Sequence, residues 1–364
     1  MEKHEVVIVG AGHAGLKAGL NLASAKRDVL IIENKKHDEI GDKICCGGLT
    51  RRAMKFVPQE LIKWECKNLA LHLKKKQIFV TSKDAFGTDE TPLGASILRH
   101  EVGQWYLKQY EERGGQVLTG AAVKGLDRKK NEVILENEER IGYKHLIAAD
   151  GSTSTITKAL GFKSESVFAG EYRIENYSKD DTPLEVFVWP ERIGYTYCWI
   201  MPYNNGSASV GVGGHPKYSP QPIQEKIKEL ILEEKGIDLS KCEYKQAPYR
   251  VSYHGFKHDN IFLVGDAASF GCTLTGEGQY PAFVSADIAS KAILEPNYDW
   301  KEDVNNLLSL HKMGVPFLKV LPFIPPFFRD VILPKVGLRL APIIGKSHLV
   351  RKIAVQLTST GKHK

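Results

Sequence analysis

The sequence lacks the cysteine patterns of metal-binding and disulfide-rich proteins. Its six cysteines stand at positions 45, 46, 66, 198, 242 and 272, and they form no C-x-x-C pair and no zinc-like spacing. This pattern argues against a metal site and against a disulfide scaffold, and it favours a reducing, cytoplasmic setting. The chain passes from Met1 to His4 directly into an apolar strand pattern, so we expect no secretory signal peptide.

Long apolar runs and a strong charge imbalance are also missing. The stretch from 315 to 344 is apolar and rich in proline, but charged residues interrupt it well before the ~20 residues that span a bilayer. Two interpretations of residues 296–364 carry equal weight. Short proline-broken helices would cover a substrate domain, whereas helices in a membrane interface would make the protein peripheral on the inner face of the membrane. A net charge of +7 is moderate, and we expect no nucleic-acid partner.

What the sequence does contain first is a dinucleotide-binding pattern. The apolar run Glu5–Val9 leads into G-x-G-x-x-G at Gly10, Gly12 and Gly15, and a helical stretch then leads to Val29–Ile32 and the acid Glu33. Gly10 permits a tight turn, Gly12 lets a pyrophosphate approach the helix N-terminus, and Gly15 lets helix and strand pack closely. A carboxylate at Glu33 suits a ribose and disfavours a 2′-phosphate, so the pattern predicts FAD or NAD rather than NADP.

The remaining pattern predicts an α/β protein with a Rossmann-like domain that binds FAD or NAD, an inserted antiparallel-sheet substrate domain and a helical C-terminal tail. A length of 364 residues suits about two domains. Residues 69–81 alternate like a hairpin, and 167–212 contain further strands with aromatic residues. We therefore predict a discontinuous first domain at 1–68, 95–162 and 248–295, a second at 69–94 and 163–247, and a tail at 296–364.

Six stretches outside the glycine pattern indicate a particular family. Arg99 precedes a helix, Asp150-Gly151 and Gly265-Asp266 follow strands, and Thr275-Gly276-Glu277-Gly278 is expected to open a helix. The other two stretches are Lys43-Ile44-Cys45-Cys46-Gly47-Gly48-Leu49 and Tyr197-Cys198-Trp199-Ile200-Met201-Pro202 with Gly211. Over nearly its full length, the chain resembles the geranylgeranyl reductase family, which shares the fold of p-hydroxybenzoate hydroxylase. It departs from the family pattern at Cys46, Met201, Ser269 and Thr273.

This resemblance implies an FAD site with contacts from several parts of the chain. Ala14 and Gly15 would contact the pyrophosphate and Glu33 the ribose, and Arg99 and Ala122 would lie on the nucleotide or ribityl side. Cys45, Cys46 and Gly48 would lie beside the flavin ring. The resemblance also places Asp266, Gly278 and Gln279 at the ribityl and pyrimidine end, where a helix beginning near Gly276 would direct its positive end toward the flavin.

The implied activity is reduction of the C=C bonds of a polyprenyl chain, in an isoprenoid lipid or in a diphosphate precursor. Tyr197 and Trp199, on alternate residues of one strand, would line an apolar lipid tunnel. Cys45 either takes part in proton delivery or only shapes the flavin pocket. The electron donor stays open between NADPH, ferredoxin, a deazaflavin and a quinol.

Three alternatives use the same fold. A flavoprotein monooxygenase of an aromatic or polyene substrate is the main one, and the Cys45 loop and the Tyr197/Trp199 strand favour reduction over it. A flavin-dependent halogenase is disfavoured because Tyr197 replaces the first tryptophan of the W-x-W-x-I-P motif. The third is a non-enzymatic lipid-binding protein or quinone-linked electron carrier that retains FAD.

Overall fold

The computed structural model describes residues 2–73, 76–177, 182–194, 196–214, 221–272 and 276–309, which are called the described residues below. They form two compact units. Unit 1 takes in residues 2–43, Leu98–Ser166 and 248–309, and unit 2 takes in Ile44–Ile97 and Val167–Ala247. Of the predicted C-terminal tail, the part from residue 310 onward lies outside the described residues.

The strands follow one another along the chain as β1 (Lys3–Val9), β2 (Val29–Ile32), β3 (Gly48–Thr50), β4 (Ile62–Cys66), β5 (Asn68–Leu73), β6 (Lys76–Thr81), β7 (Gly94–Ile97), β8 (Gln116–Leu118), β9 (Val123–Asp127), β10 (Glu132–Leu135), β11 (Arg140–Ala148), β12 (Ser166–Ile174), β13 (Leu184–Phe187), β14 (Tyr197–Pro202), β15 (Ala208–Gly214), β16 (Lys245–Arg250), β17 (Lys257–His258) and β18 (Ile261–Leu263). The helices are α1 (His13–Ser24), α2 (Arg51–Met54), α3 (Ser82–Phe86), α4 (Arg99–Glu111), α5 (Thr155–Ala159), α6 (Pro190–Ile193), α7 (Ile223–Lys235), α8 (Gln279–Leu294) and α9 (Lys301–Leu307).

Unit 1 is built on a sheet whose centre is parallel. The strands β18, β11, β1, β2 and β8 lie side by side in that order, and each neighbouring pair is parallel. The side chains of Val6, Val7 and Ile8 are fully buried, as expected for a strand covered on both faces. Helix α1 packs against α4 and α8. The carboxyl ends of β1, β2, β11 and β18 therefore meet at one edge of the sheet, where the expected cofactor residues follow.

Unit 2 contains a seven-stranded sheet with the order β16-β12-β15-β14-β13-β5-β6. The expected antiparallel pairing holds for β12 with β15, β15 with β14, β14 with β13, and β5 with β6, whereas β13 runs parallel to β5. The predicted hairpin over residues 69–81 is the pair β5–β6. No helix among the described residues is both long and apolar enough to cross a bilayer.

The two faces of this sheet differ in chemistry. On one face, apolar side chains of β12, β14 and β15 pack against the apolar side of α7, through Tyr172, Cys198, Ile200, Val210, Val212, Ile227, Leu230 and Ile231. The alternate residues of the same strands, which include Glu171, Trp199 and Ser209, lie on the other face. The period of two along a strand thus separates a hydrophobic core from a face with polar and aromatic groups.

The predicted domain boundary at residue 68 differs from the grouping in the structure. Residues 44–68 belong to unit 2, because β3 and β4 both pair with β7 in a small three-stranded sheet. These pairs join segments that are far apart in the chain, such as Cys66 with Gly94 and Gly48 with Ser96. The apolar pattern of each short strand gives no sign of its partner.

Gly211 and Gly213 of β15 provide a matched test of packing on the second face. A Cβ atom on Gly211 would lie 2.2 Å from a ring atom of Trp199, whereas one on Gly213 would lie 3.8 Å from the same ring. We expect Gly211→Ala to lower the free energy of unfolding by about 1–3 kcal/mol because the ring must move, and Gly213→Ala to change it far less. Urea unfolding followed by tryptophan fluorescence measures both values. Equal losses in the two variants would contradict the packing described.

Candidate FAD site

The glycine turn after β1 requires three backbone segments to touch. Gly10 has a φ angle of +102°, and a Cβ atom there would lie 2.5 Å from the carbonyl oxygen of Ala149, at the end of β11. A Cβ atom on Gly15 would lie 1.9 Å from the carbonyl oxygen of Gly10. Contacts this short exclude any side chain at either position, so both glycines are required by the fold itself.

Gly12 differs from these two glycines because the space beside it is open. A Cβ atom on Gly12 would meet no described heavy atom within 4 Å, apart from its chain neighbours. Helix α1 begins at the next residue, His13, and its first N–H groups have no helical acceptor. Open space at a helix N-terminus with free N–H donors suits a pyrophosphate. Ala14 and Gly15 lie in the same first turn.

Glu33 lies directly beside this turn. Its carboxylate accepts hydrogen bonds from the backbone N–H of Ala11 (2.6 Å) and of Lys35 (3.0 Å), and it is 8% exposed. The backbone carbonyl of Glu33 accepts from the N–H of Ala121 (2.9 Å), which places the neighbouring Ala122 next to the end of β2. The structure therefore brings the predicted ribose residue, Glu33, together with the predicted nucleotide contact, Ala122.

His13 links two further predicted residues, and the sequence reasoning missed it. Its Nδ1 lies 2.8 Å from Gln279 Oε1, and its Nε2 lies 3.4 Å from the carbonyl oxygen of Arg99. The ring stacks on Phe283 with 5.3 Å between centroids. Burial, together with the charge of Arg99, lowers the pKa of His13 well below its usual value, so the ring is neutral at pH 7. Its only signal in the sequence is its place between the second and third glycines.

Asp266 follows β18 and pairs with Lys43. Lys43 Nζ lies 2.5 Å from Asp266 Oδ2, and Ser152 Oγ donates to the same oxygen at 3.4 Å. Burial by itself would raise the pKa of Asp266, but the charge and hydrogen bond of Lys43, with the charge of Arg99, hold it below its usual range. A Cβ atom on Gly278 would lie 3.6 Å from Asp266 Oδ1, so an ionised carboxylate lies beside the start of α8.

The helix predicted to begin near Gly276 begins at Gln279 instead, with Gly278 as the residue before it. Gly276 has a φ angle of +67°, and this left-handed conformation cannot continue into a right-handed helix. Gly276 is therefore part of the turn that precedes the helix, while Thr275 lies outside the described residues. The free N–H groups of α8 are placed three residues later than expected, next to Asp266 and His13.

Several buried polar atoms of unit 1 have no hydrogen-bond partner within the described residues. These atoms are Arg99 Nε, Gln279 Nε2, Asp150 Oδ1 and Ser269 Oγ. Buried donors and acceptors are rarely left unpaired in a native protein, and Arg99 and Gln279 are two of the predicted cofactor contacts. Together with the open space at Gly12, these atoms fit a bound dinucleotide with a polyhydroxylated linker and phosphates.

Unit 2 holds the remaining predicted residues. In the loop before β3, the N–H of Gly47 approaches Cys45 Sγ at 3.4 Å, and Tyr203 donates from its hydroxyl to the carbonyl oxygen of Cys46 at 2.7 Å. A Cβ atom on Gly48 would lie 3.0 Å from the methyl carbon of Met201. The cysteine loop therefore packs against the end of β14.

Tyr197 and Trp199 lie on the face of the sheet opposite α7. Their ring centroids are 5.8 Å apart with an interplanar angle of 50°, as the alternation along the strand predicts. Trp199 Nε1 donates to Ser209 Oγ at 3.1 Å. Sequence reasoning missed Ser209, Glu171 and Arg173, which lie on the same face, because their grouping depends on strand register.

A parallel sheet with a glycine turn, an acidic residue after its second strand and an ionised aspartate at a second helix start defines a dinucleotide-binding protein. The chain belongs to the family described as "FAD binding domain", whose family model matches residues 3–279. The cofactor is FAD, as predicted, and the protein is a flavin-dependent oxidoreductase.

Three known proteins illustrate the similarity. The chain is 29% identical over 302 residues to a menaquinone reductase from Mycobacterium tuberculosis, which covers 75% of this chain and 72% of the relative. It is 28% identical over 324 residues to digeranylgeranylglycerophospholipid reductase 1 from Methanosphaera stadtmanae, with 82% and 78% covered. A geranylgeranyl bacteriochlorophyll reductase-like protein from Thermoplasma acidophilum is 21% identical, with a TM-score of 0.77 and 98% and 96% covered. The predicted fold and the resemblance to geranylgeranyl reductases are confirmed.

The open space at Gly12 leads to a test of cofactor binding. We expect Gly12→Val to fold normally and to lose FAD affinity by about tenfold or more, ~1.4 kcal/mol, because its side chain would occupy the space where the pyrophosphate approaches. FAD fluorescence titration of the apoprotein measures the affinity. Gly15→Ala is the contrasting variant, since its Cβ atom meets backbone and should destabilise the fold. Wild-type FAD affinity in Gly12→Val would exclude this site.

The neutral state of His13 predicts an acid sensitivity. The folded-state pKa lies below the unfolded value of about 6.5, so the unfolded state binds a proton that the folded state refuses. Stability is therefore full above pH ~6.5 and falls below it, by at most about 1.4 kcal/mol per pH unit from this residue. Urea unfolding at pH 7.5 and pH 5.5 measures the fall in the free energy of unfolding between these two pH values. This fall should be smaller in His13→Gln than in the wild type. The control variant is His100→Gln, because His100 is exposed. If His13→Gln loses as much stability at pH 5.5 as the wild type does, the neutral state of His13 is contradicted.

Proposed function

We propose that the protein is an FAD-dependent reductase that saturates C=C bonds in the polyprenyl chain of an isoprenoid lipid or its precursor. The names of its relatives support this substrate class. One is named for a glycerophospholipid with geranylgeranyl chains and another for menaquinone, and both of these lipids carry prenyl chains. An elongated hydrocarbon, with little for polar groups to recognise, is the feature that they share.

The observation that carries the proposal is the separation of faces in the sheet of unit 2. Tyr197 and Trp199 lie together on the face opposite the α7 core, and Gly211 and Gly213 on the neighbouring strand leave room for the indole ring. Two neighbouring aromatic rings on the face opposite the apolar core suit contact with an apolar chain. Their π faces can also stabilise positive charge that develops on an alkene carbon.

The residues of unit 1 would hold FAD according to their chemistry. The N-terminus of α1, at Gly12, Ala14 and Gly15, would take the pyrophosphate. Glu33 would accept from the ribose hydroxyls, and Asp266 from ribityl hydroxyls, and Arg99 and Gln279 would each donate from a buried nitrogen that has no partner among the described residues. Reduced FAD supplies hydride in reactions of this class. The flavin contacts of Cys45, Cys46 and Gly48 stay predictions that rest on the resemblance.

Proton supply is the second requirement of alkene reduction. A hydrogen bond with Cys45, burial, and the charges of Cys45 and Glu171 raise the pKa of Cys46 well above its usual value. The Cys46 thiol is therefore protonated at neutral pH and is a weaker acid than an ordinary thiol, so it suits neither a nucleophile nor a strong proton donor. Cys45, the partly exposed neighbour, stays the candidate for contact with the reacting atoms.

An anaerobic single-turnover experiment tests the proposal. The purified FAD-loaded protein is reduced with dithionite and mixed with a digeranylgeranyl glycerolipid, and the lipid is analysed by mass spectrometry. We expect the lipid to gain two hydrogen atoms for each double bond reduced, as the flavin reoxidises. If a Cys45→Ser variant keeps full turnover, this thiol is excluded from the proton path, and the proposed reductase activity is not contradicted.

The other outcomes separate the alternatives. Flavin reoxidation without a change in lipid mass indicates an electron carrier, and oxygen incorporation after air is readmitted indicates a monooxygenase. A parallel reaction with menaquinone tests whether a prenylated quinone is preferred. Absence of any lipid product under all these conditions would contradict the proposal.

A further inference from the structure

Glu171 is a buried carboxylate to which the proposed function assigns no contact with FAD or lipid. It lies on β12 opposite Gly211 of β15, which itself lies opposite Trp199 of β14. These three residues form one row across the sheet, on the face opposite α7. Glu171 is only 6% exposed, and a buried acid is costly unless its oxygens are paired.

Both oxygens of Glu171 have partners. Ser209 donates its hydroxyl to Oε2 at 2.5 Å, and Ser209 Oγ in turn accepts from Trp199 Nε1 at 3.1 Å. Arg173 donates from a guanidinium nitrogen to Oε1 at 3.0 Å. The carboxylate is thus held between the aromatic strand and an arginine, in a position fixed by three neighbouring strands.

Arg173 and Tyr203 connect this carboxylate to the cysteine loop. The same nitrogen of Arg173 donates to the carbonyl oxygen of Cys45 at 3.1 Å, and the guanidinium lies 4.8 Å from the ring centroid of Tyr203. Tyr203 donates to the carbonyl oxygen of Cys46. The backbone carbonyls of both cysteines are therefore anchored by side chains that belong to the Glu171 cluster, which is defined as Glu171, Arg173, Tyr203 and Ser209.

The electrostatics of the cluster agree with this geometry. The titratable or charged groups that interact electrostatically with Glu171 are Arg173 on its own strand, the thiols of Cys45 and Cys46, and Tyr203. Burial raises the pKa of Glu171 and the thiol of Cys45 adds to the rise, while Arg173 and Ser209 oppose it. Negative charge on Glu171 in turn disfavours a thiolate at Cys46.

We propose that Glu171 is a positioning residue of the cysteine loop. With Ser209 on one oxygen and Arg173 on the other, its carboxylate fixes the arginine against the carbonyl oxygen of Cys45 and sets the charge that acts on the thiols of Cys45 and Cys46. In the reaction proposed above, on which the catalytic meaning of this inference rests, the anchored loop would hold the Cys45 thiol in one place for proton transfer. When a thiol gives its proton, an S–H bond breaks and a C–H bond forms at the alkene carbon. The other carbon would take the hydride that reduced FAD supplies when bound, and the thiolate would recover a proton from water.

The test measures thiol protonation without lipid. The FAD-loaded protein is treated with iodoacetamide from pH 6 to pH 9, and alkylation of Cys45 and Cys46 is followed by peptide mass spectrometry, with the half-buried Cys242 as an internal reference. In Glu171→Gln, we expect iodoacetamide to alkylate Cys45 and Cys46 roughly three- to tenfold faster at neutral pH. This change corresponds to a curve of alkylation rate against pH that is shifted to lower pH by about half to one unit. Glu171→Asp keeps the negative charge, so the alkylation rates in this variant should be close to those of the wild type.

Glu185→Gln is the matched control variant. Glu185 is another buried carboxylate of the same sheet, on β13, but its partners are His72, Tyr177 and Lys235 instead of the cysteine loop. In Glu185→Gln, the alkylation rates of Cys45 and Cys46 should depend on pH as they do in the wild type. If Glu171→Gln does not fold, Ser209→Ala is used instead. Without the serine hydrogen bond the carboxyl ionises less readily, so alkylation should accelerate in the same direction by a smaller factor.

The result that would overturn the inference is a folded Glu171→Gln, or Ser209→Ala in its place, with the pH profile of the wild type. This result is independent of the reductase assay. If lipid reduction fails but the alkylation profile moves as expected, only the proposed function is contradicted. If lipid reduction succeeds and the profile does not move, only the role of Glu171 is contradicted.

Discussion

The contact between the backbones of Gly10, Gly15 and Ala149 is the constraint on which the cofactor site depends. With Cβ atoms excluded at two of these positions, the end of β1, the first turn of α1 and the end of β11 approach more closely than side chains permit. This approach directs the N-terminus of α1 to the edge of the sheet where β2 delivers Glu33 and β18 delivers Asp266. The open space at Gly12 follows from the same turn. Backbone packing thus places a helix start with free N–H donors at this edge of the sheet, where the donors can bind a pyrophosphate.

A second constraint organises unit 2, and it is the register of β12, β15 and β14. Because these strands are antiparallel neighbours, Glu171, Gly211 and Trp199 fall in one row. The larger indole ring lies over glycine, and the polar groups meet at the hydroxyl of Ser209. The cost of burying an acid is offset by a serine and an arginine, and the arginine also holds the cysteine loop. Polar and aromatic chemistry therefore share one face without disturbing the apolar core on the other.

Local spacing explains what could be predicted. The three glycines, Glu33 and the alternation of Tyr197 with Trp199 are set by a single turn or strand, so their relation is visible in the chain itself. Lys43 and Asp266 are 223 residues apart, and His13 and Gln279 are 266 apart. Such pairs require the strand order of the sheet. The grouping of residues 44–68 with unit 2 likewise depends on a partner strand, β7, that no local pattern identifies.

The start of α8 shows a different limit. Glycine permits both hands of backbone, so the sequence Gly276-Glu277-Gly278 is compatible with a helix start at any of its residues, and the observed left-handed φ at Gly276 decides between them. Helix propensity alone does not decide which of these residues precedes the first turn of α8.

The division of β12, β14 and β15 into two chemically distinct faces has a consequence for how this protein can diversify. Substitutions at odd-numbered positions such as 169, 197 and 213 change the surface opposite α7, while even-numbered neighbours such as 198, 200 and 212 maintain the packing against that helix. Where this surface has room, as at position 213, its chemistry can therefore change by point mutation without disturbing the core, whereas position 211 is constrained by the Trp199 ring. A one-residue insertion within any of these strands would exchange the two sets at once, so lineages should vary in side-chain identity here while keeping strand length fixed.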